Sequence, residues 1–202
     1  MIIEHGGKKP KIDKSAVVAP SATISGDVRI GAETCVLAGA VLTSEGTPLK
    51  IGPRSIIMEN VVIRASKVHP TTIGHHVFIG PQVHISGAFV SPRCFISTGA
   101  ILFNGAMLEE GCLLAVHSVV HMNTTCKAST FIPAGFTLYG KPARLYNPAD
   151  ALELHRKIAS KGFTKTVFGF DSSEMSIPLS VETLCERYLK SLLTHSDDRE
   201  IG

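Results

Sequence analysis

Three of the chain's nine histidines fall in one stretch, IGHHVFIGPQVHISG, which runs from Ile73 to Gly87. Imidazoles such as His75, His76 and His84 are ordinary ligands of zinc and related divalent metals, and three of them around an open fourth position would activate a bound water. His69, just upstream, could complete such a set, and His117 with His121 form a further pair. No subset has the spacing of a recognised zinc motif. The alternative is polar decoration of turns or hydrogen bonding between subunits. Which reading applies depends on the elements that carry these residues.

Those elements are written in a six-residue ruler. Aliphatic residues recur at Ile12, Val18, Ile24, Ile30, Val36 and Leu42. After a short insertion the count resumes at Ile51, Ile57 and Ile63, and after a second one at Ile73, Ile79 and Ile85. A single deletion then leads to Val90, Ile96, Leu102, Leu108, Leu114 and Val120, with Cys126, Ile132 and Leu138 in the same phase. Small residues (Ala16, Ala22, Ala40, Ala88, Ala100, Ala106) stand two positions before many ruler residues, and Gly31, Gly52, Gly74 and Gly80 stand just after.

A period of six matches neither the 3.6 residues of a helical turn nor plain strand alternation. It matches short strands separated by turns, three strands to a triangular coil. Strand alternation puts the ruler residue and the small residue two before it on the inner face, and their neighbours outside. The repeat therefore predicts an all-β solenoid, a parallel β-helix of about seven coils stacked roughly 4.8 Å apart over residues 1–146. His84 precedes a ruler residue and faces outward, while His75 and His76 occupy a turn. The interval between His117 and His121 belongs to a strand and a turn rather than to a helix.

Beyond the repeat, 147–202 predicts a C-terminal helical extension packing on the β-helix or over one of its ends. Asn147 before Pro148 is a helix start, and Gly162 is a stop, giving a helix over about 148–161. A second amphipathic helix has Ser180 as cap and Val181, Leu184, Cys185, Tyr188 and Leu192 on one stripe. FTKTVFGFD between them reads as extended or irregular, and SDDREIG as frayed.

Composition narrows the function. Twenty basic and seventeen acidic residues give a net charge of +3, and the basic residues are scattered, so neither nucleic acid nor a membrane surface is an expected partner. No run reaches the ~18 apolar residues of a membrane span, and MIIEHGGKKP lacks the apolar core of a secretion signal, so a cytoplasmic protein is expected. The five cysteines (Cys35, Cys94, Cys112, Cys126, Cys185) lack C-x-x-C spacing and read as small buried hydrophobes in a reducing compartment.

The segment KKPKIDKSAVVAPSATISGDVRIG, together with GKPARL near residue 144, resembles the γ-class carbonic anhydrase-like branch of the hexapeptide-repeat superfamily. The resemblance implies a left-handed parallel β-helix with C-terminal α-helices, assembled as a homotrimer. In catalytic members it implies a metal held by three histidines at the subunit interface. Here the corresponding positions read Arg64 in VVIR, and Pro81 and Ser86 in IGPQVHISG. All three imidazoles are replaced, and a permanent guanidinium repels a divalent cation. Supporting positions are altered too: LTSEG supplies Thr43 and Glu45, and IIME supplies Met58 and Glu59.

No metal or other cofactor is therefore expected at the family positions, with His69, His75, His76 and His84 as the alternative ligands for a relocated zinc. The cleft candidates are Thr43, Glu45, Met58, Glu59, Arg64, Pro81, His84 and Ser86. They suggest a trimeric binding or interaction protein whose Arg64 could hold a small anionic ligand or pair with Glu59 or Glu45. Hexapeptide-repeat acyltransferases carry TIGHHVFIG-like coils as well. The alternative reading is an acyltransferase using a coenzyme A thioester, with a histidine as general base. A third reading is a metal-dependent lyase built on the relocated histidines.

Overall fold

The computed structural model describes residues 1–172 and 174–202. Its body is a triangular parallel β-helix. Two faces are seven-stranded, and the third has ten strands, of which the eight from the coils run parallel. Strands on one face are separated in sequence by one whole coil, so each ruler residue sits above its counterpart. Ile12 pairs with Ile30, Val18 with Val36 and Ile24 with Leu42.

The ruler residues from Ile24 to Leu138 form one continuous buried core, while Ile12 and Val18 at the first coil are only partly covered. Each buried aliphatic contributes about 1.5–3 kcal/mol gross, opposed by the entropy of ordering its turn. The second inward position is small or hydroxylated in many coils, as at Ala22, Ala40, Thr34 and Ser55, and takes Val28, Leu49, Val61, Val77 and Val83 in others. Buried hydroxyls are answered by turn carbonyls, as in Thr34 to Gly52 and Ser55 to Gly74, both 3.0 Å. Cys94, Cys112 and Cys126 are buried as expected, but Cys35 is half-buried and Cys185 exposed, because both occupy outward-facing positions.

The third face is longer because its two ends are closed by antiparallel strands. Arg144–Tyr146 pairs with Thr137–Tyr139, and Arg199–Glu200 pairs with the first strand, Ile2–Glu4. The expectation that the final residues fray is thus corrected: their backbone satisfies the open edge of the first strand, which charged side chains pointing to solvent do not prevent.

Asn147 caps the turn that leads into α1 (Ala151–Ala159), its side chain accepting from the Ala149 amide at 2.7 Å in a full capping box. The segment expected to be irregular instead forms a short helix, α2 (Phe163–Phe168), bounded by Gly162 and Gly169 in the left-handed region. Helix α3 (Ile177–Leu192) begins before the expected Ser180, because Pro178 fits the first turn. Ser180 lies inside it, donating back to the Ile177 carbonyl at 2.8 Å. Among the described residues no helix is long and apolar enough to cross a membrane.

Candidate functional site

Parallel register stacks three of the sequence-predicted residues into one outward row on the third face. Arg64 pairs with Thr43 on one side and Ser86 on the other, while Leu42, Ile63 and Ile85 point inward behind them. Each side chain is aimed by its place after a buried ruler residue. The row continues with Phe103, and His121 stacks on that ring at 4.5 Å between centroids.

The two insertions in the ruler lie beside this row. They form loops that bring Glu45 and residues 66–69 next to Arg64. Ser44 donates to the Thr47 carbonyl at 2.9 Å, Thr47 to the Ser66 carbonyl at 2.5 Å, and Thr71 to the Arg64 carbonyl at 2.6 Å. The loops are therefore pinned to each other and to the strand they follow. Helix α3 borders the opening with Leu184, Tyr188 and Leu192; only Leu184 is half-buried, and Tyr188 and Leu192 stay exposed, as do Val181 and Cys185 of the expected stripe. The three cavity-lining apolar residues follow an i, i+4, i+8 line along the helix.

Between the strands, the loops and α3 is a cavity of about 410 Å³. Glu45, Arg64, His84 and Ser86 converge on it with Lys67 and Arg187, and Val68, Phe103, Val167 and Tyr188 supply an apolar side. Arg64 stands 4.0 Å from Glu45, a long separation that leaves most of its donor fork open. Burial holds the His84 imidazole below its ordinary pKa, and the nearby Arg64 charge lowers it further, so the ring is neutral at pH 7. Thr43 Oγ1 is buried without a hydrogen-bond partner among the described residues.

Other candidates lie apart. Met58 packs against the core, and neither Glu59 nor Pro81 lines the cavity. Their carbonyls serve turns, accepting from Gln82 and Gly99 at 3.0 Å. His75 and His76 meet edge to face on a turn with Nδ1 atoms 2.9 Å apart. His69 is anchored by its backbone to Ser66, against Gly87. His117 sits over Gly99, and His121 lies between Phe103 and Tyr139. Among the described residues these histidines do not form a metal-sized group. His5, His195 and Asp198 do. Sequence reading missed that group, because its members lie at opposite ends of the chain with no spacing to link them. Arg187 was missed as well: it lies one residue off the helix's apolar stripe.

The donor set at the positions that the resemblance assigns to the metal ligands does not fit zinc. Arg64 cannot lose its charge, Pro81 offers no side-chain donor, and Ser86 offers a single hydroxyl where imidazole is required.

No protein-family model matches the chain. The mitochondrial γ carbonic anhydrase 1 of Arabidopsis thaliana is 36% identical over 143 residues, 68% of this chain and 50% of that protein. A carbonic anhydrase of Geobacillus kaustophilus is 38% identical over 90 residues, covering 45% of this chain and 50% of its own. The chain spans about half the length of the curated relatives it matches. Among solved structures, a putative acetyltransferase of Bacillus cereus superposes with a TM-score of 0.58 at 27% identity, covering 79% of this chain and 91% of that one. With its hexad-built coils and these relatives, the chain belongs to the γ-carbonic anhydrase-like branch of the hexapeptide-repeat, left-handed β-helix proteins.

Proposed function

We propose that this protein binds a small organic anion in the cavity under α3 and does not hydrate carbon dioxide at the family's metal position. The observation that carries this reading is Arg64. It stands where the family pattern has a metal-binding histidine, opens into the cavity, and meets its nearest carboxylate at only 4.0 Å. A guanidinium offers a planar pair of donors that matches a carboxylate or phosphate in bidentate fashion. Neutral His84 and Ser86 supply further polar contacts beside it, and the wall of Val68, Phe103, Val167 and Tyr188 suits an apolar body. The ligand class is accordingly a carboxylate with a short aliphatic or aromatic tail.

Calorimetric titration with a series from acetate to octanoate and benzoate tests this. Affinity should rise with tail length and fall about 10- to 100-fold in Arg64→Met, the loss expected for one charge-assisted pair. Acetyl-coenzyme A serves as the opposing arm. If only the thioester binds, the acyltransferase reading favoured by the Bacillus cereus likeness replaces this one. Rapid carbon dioxide hydration that depends on Arg64 or Ser86 would overturn the proposal outright.

A further inference from the structure

Outside the cavity, the first strand and the last residues of the chain bring two imidazoles and a carboxylate together. His5 Nδ1 lies 2.6 Å from one oxygen of Asp198, and His195 Nδ1 lies 2.9 Å from the other. The two rings stack with centroids 4.3 Å apart and planes 22° from parallel, so both Nδ1 atoms address the same carboxylate. One ligand atom from each residue lies within 4.8 Å of the others. On its other side His195 Nε2 is 3.2 Å from Glu45 Oε2, and His5 is only 8% exposed.

From this geometry we infer that His5, His195 and Asp198 form a binding site for a divalent transition metal of the zinc class, with Glu45 orienting His195. The ligand atoms are His5 Nδ1, His195 Nδ1 and one Asp198 oxygen. Zinc sits about 2.0–2.2 Å from such atoms, so small shifts of the two rings suffice. A metal-bound histidine characteristically donates its other ring N–H to a carboxylate, and Glu45 stands at that place for His195.

The charge arrangement favours a cation. His195 faces a carboxylate at each ring nitrogen, which its protonated form satisfies by donating from both. The hydrogen bond to Asp198 leads in raising its pKa, and Glu45 adds to it against some desolvation. Burial pushes Asp198 upward, but hydrogen bonds from His195 and His5 outweigh it and the carboxyl stays ionised. A metal would replace the Nδ1 protons, releasing them, so affinity should fall as pH drops.

The site joins segments that are otherwise held by backbone bonds. His5 begins a tight turn with Lys8, while His195 and Asp198 lead into the strand that pairs Glu200 with Ile3. An ion there would pin the chain's two ends together and fix Glu45, whose other oxygen faces Arg64.

The test is calorimetric titration of zinc chloride into the untagged, chelator-treated full chain, with cobalt(II) absorption as the geometric readout. One equivalent should bind, giving the intense visible bands of a low-coordinate cobalt site. His5→Ala and His195→Ala should each weaken binding more than about tenfold, and Glu45→Gln about 10- to 100-fold. The His75→Ala/His76→Ala pair should leave binding unchanged. Absence of a saturable zinc signal in the wild-type chain overturns the inference, as does binding that survives loss of His5 and His195 or disappears with His75 and His76. Because wild-type stoichiometry and the cobalt spectrum need no variant, misfolding of one cannot rescue the idea. Carboxylate binding is a separate measurement, so either proposal can fail alone.

Discussion

At the scale of single residues, two histidines make the fold sensitive to acid. Burial leads in lowering the His84 pKa, with the Arg64 charge adding to it, and burial alone lowers that of His121. His121 Nδ1 accepts from the Met122 amide at 2.9 Å, so that nitrogen must be bare and a second proton breaks the bond. The sign follows from linkage. A folded pKa below the ordinary 6.5 means that the neutral ring's contribution is complete above 6.5 and is lost as pH falls toward the depressed values. His195 has the opposite sign: its folded pKa is raised, so its contribution is complete below 6.5 and fades as pH rises through the higher value. Thermal unfolding of chelator-treated protein between pH 5 and pH 8 should therefore show two separable slopes. His121→Gln should flatten the acid limb, and His195→Gln the alkaline limb. An acid limb unchanged in both His84→Gln and His121→Gln would refute the assignment.

At the scale of elements, the ruler has a direct energetic consequence. Ile96 is fully buried while its neighbour Phe95 is 42% exposed, although Phe95 is the larger side chain. Ile96→Ala should cost about 2–5 kcal/mol through lost burial and an unfilled cavity. Phe95→Ala should cost much less in the isolated chain, a contrast that denaturant unfolding measures.

That contrast also explains what the sequence made legible. A strict hexad names the inward residues because each of the three strands in every coil must turn one side chain toward the interior. The same register fixed Arg64 between Thr43 and Ser86 as an outward row. The two insertions in the hexad marked the loops that wall the cavity. Helix α2 was not legible, because its six residues are too few for a helical period to register. Nor was the closing strand Arg199–Glu200, whose pairing rests on backbone bonds to an open edge and leaves no hydrophobic pattern. The contact between Glu45 and His195 joins residues 150 positions apart, a distance no local spacing encodes.

At the scale of the whole molecule, the outward row of one seven-stranded face stands out. Register aligns Val17, Cys35, Ile56, Phe78, Phe95, Leu113 and Phe131 along the full height of the prism. Phe78 and Phe95 are stacked at 4.9 Å, while Val17, Ile56, Leu113 and Phe131 are exposed. A monomeric protein rarely leaves so continuous an apolar strip in water, and a stable interface buries roughly 800 Å² on each partner. The corresponding row on the neighbouring face is basic over Lys11, Arg29 and Lys50 and turns apolar only at Phe89 and Met107. The first strip is thus the better surface for self-association, and the number of copies expected, three, is what the resemblance to the γ-class branch implies. Light scattering should give a mass three times 21.5 kDa. Phe95→Ser combined with Phe131→Ser should bring the particle to the mass of a single chain, with far-ultraviolet circular dichroism unchanged because the inward residues are untouched. A wild-type protein that is monomeric at micromolar concentration would defeat this prediction, since the apolar strip would then have to be covered by something other than another copy of the chain.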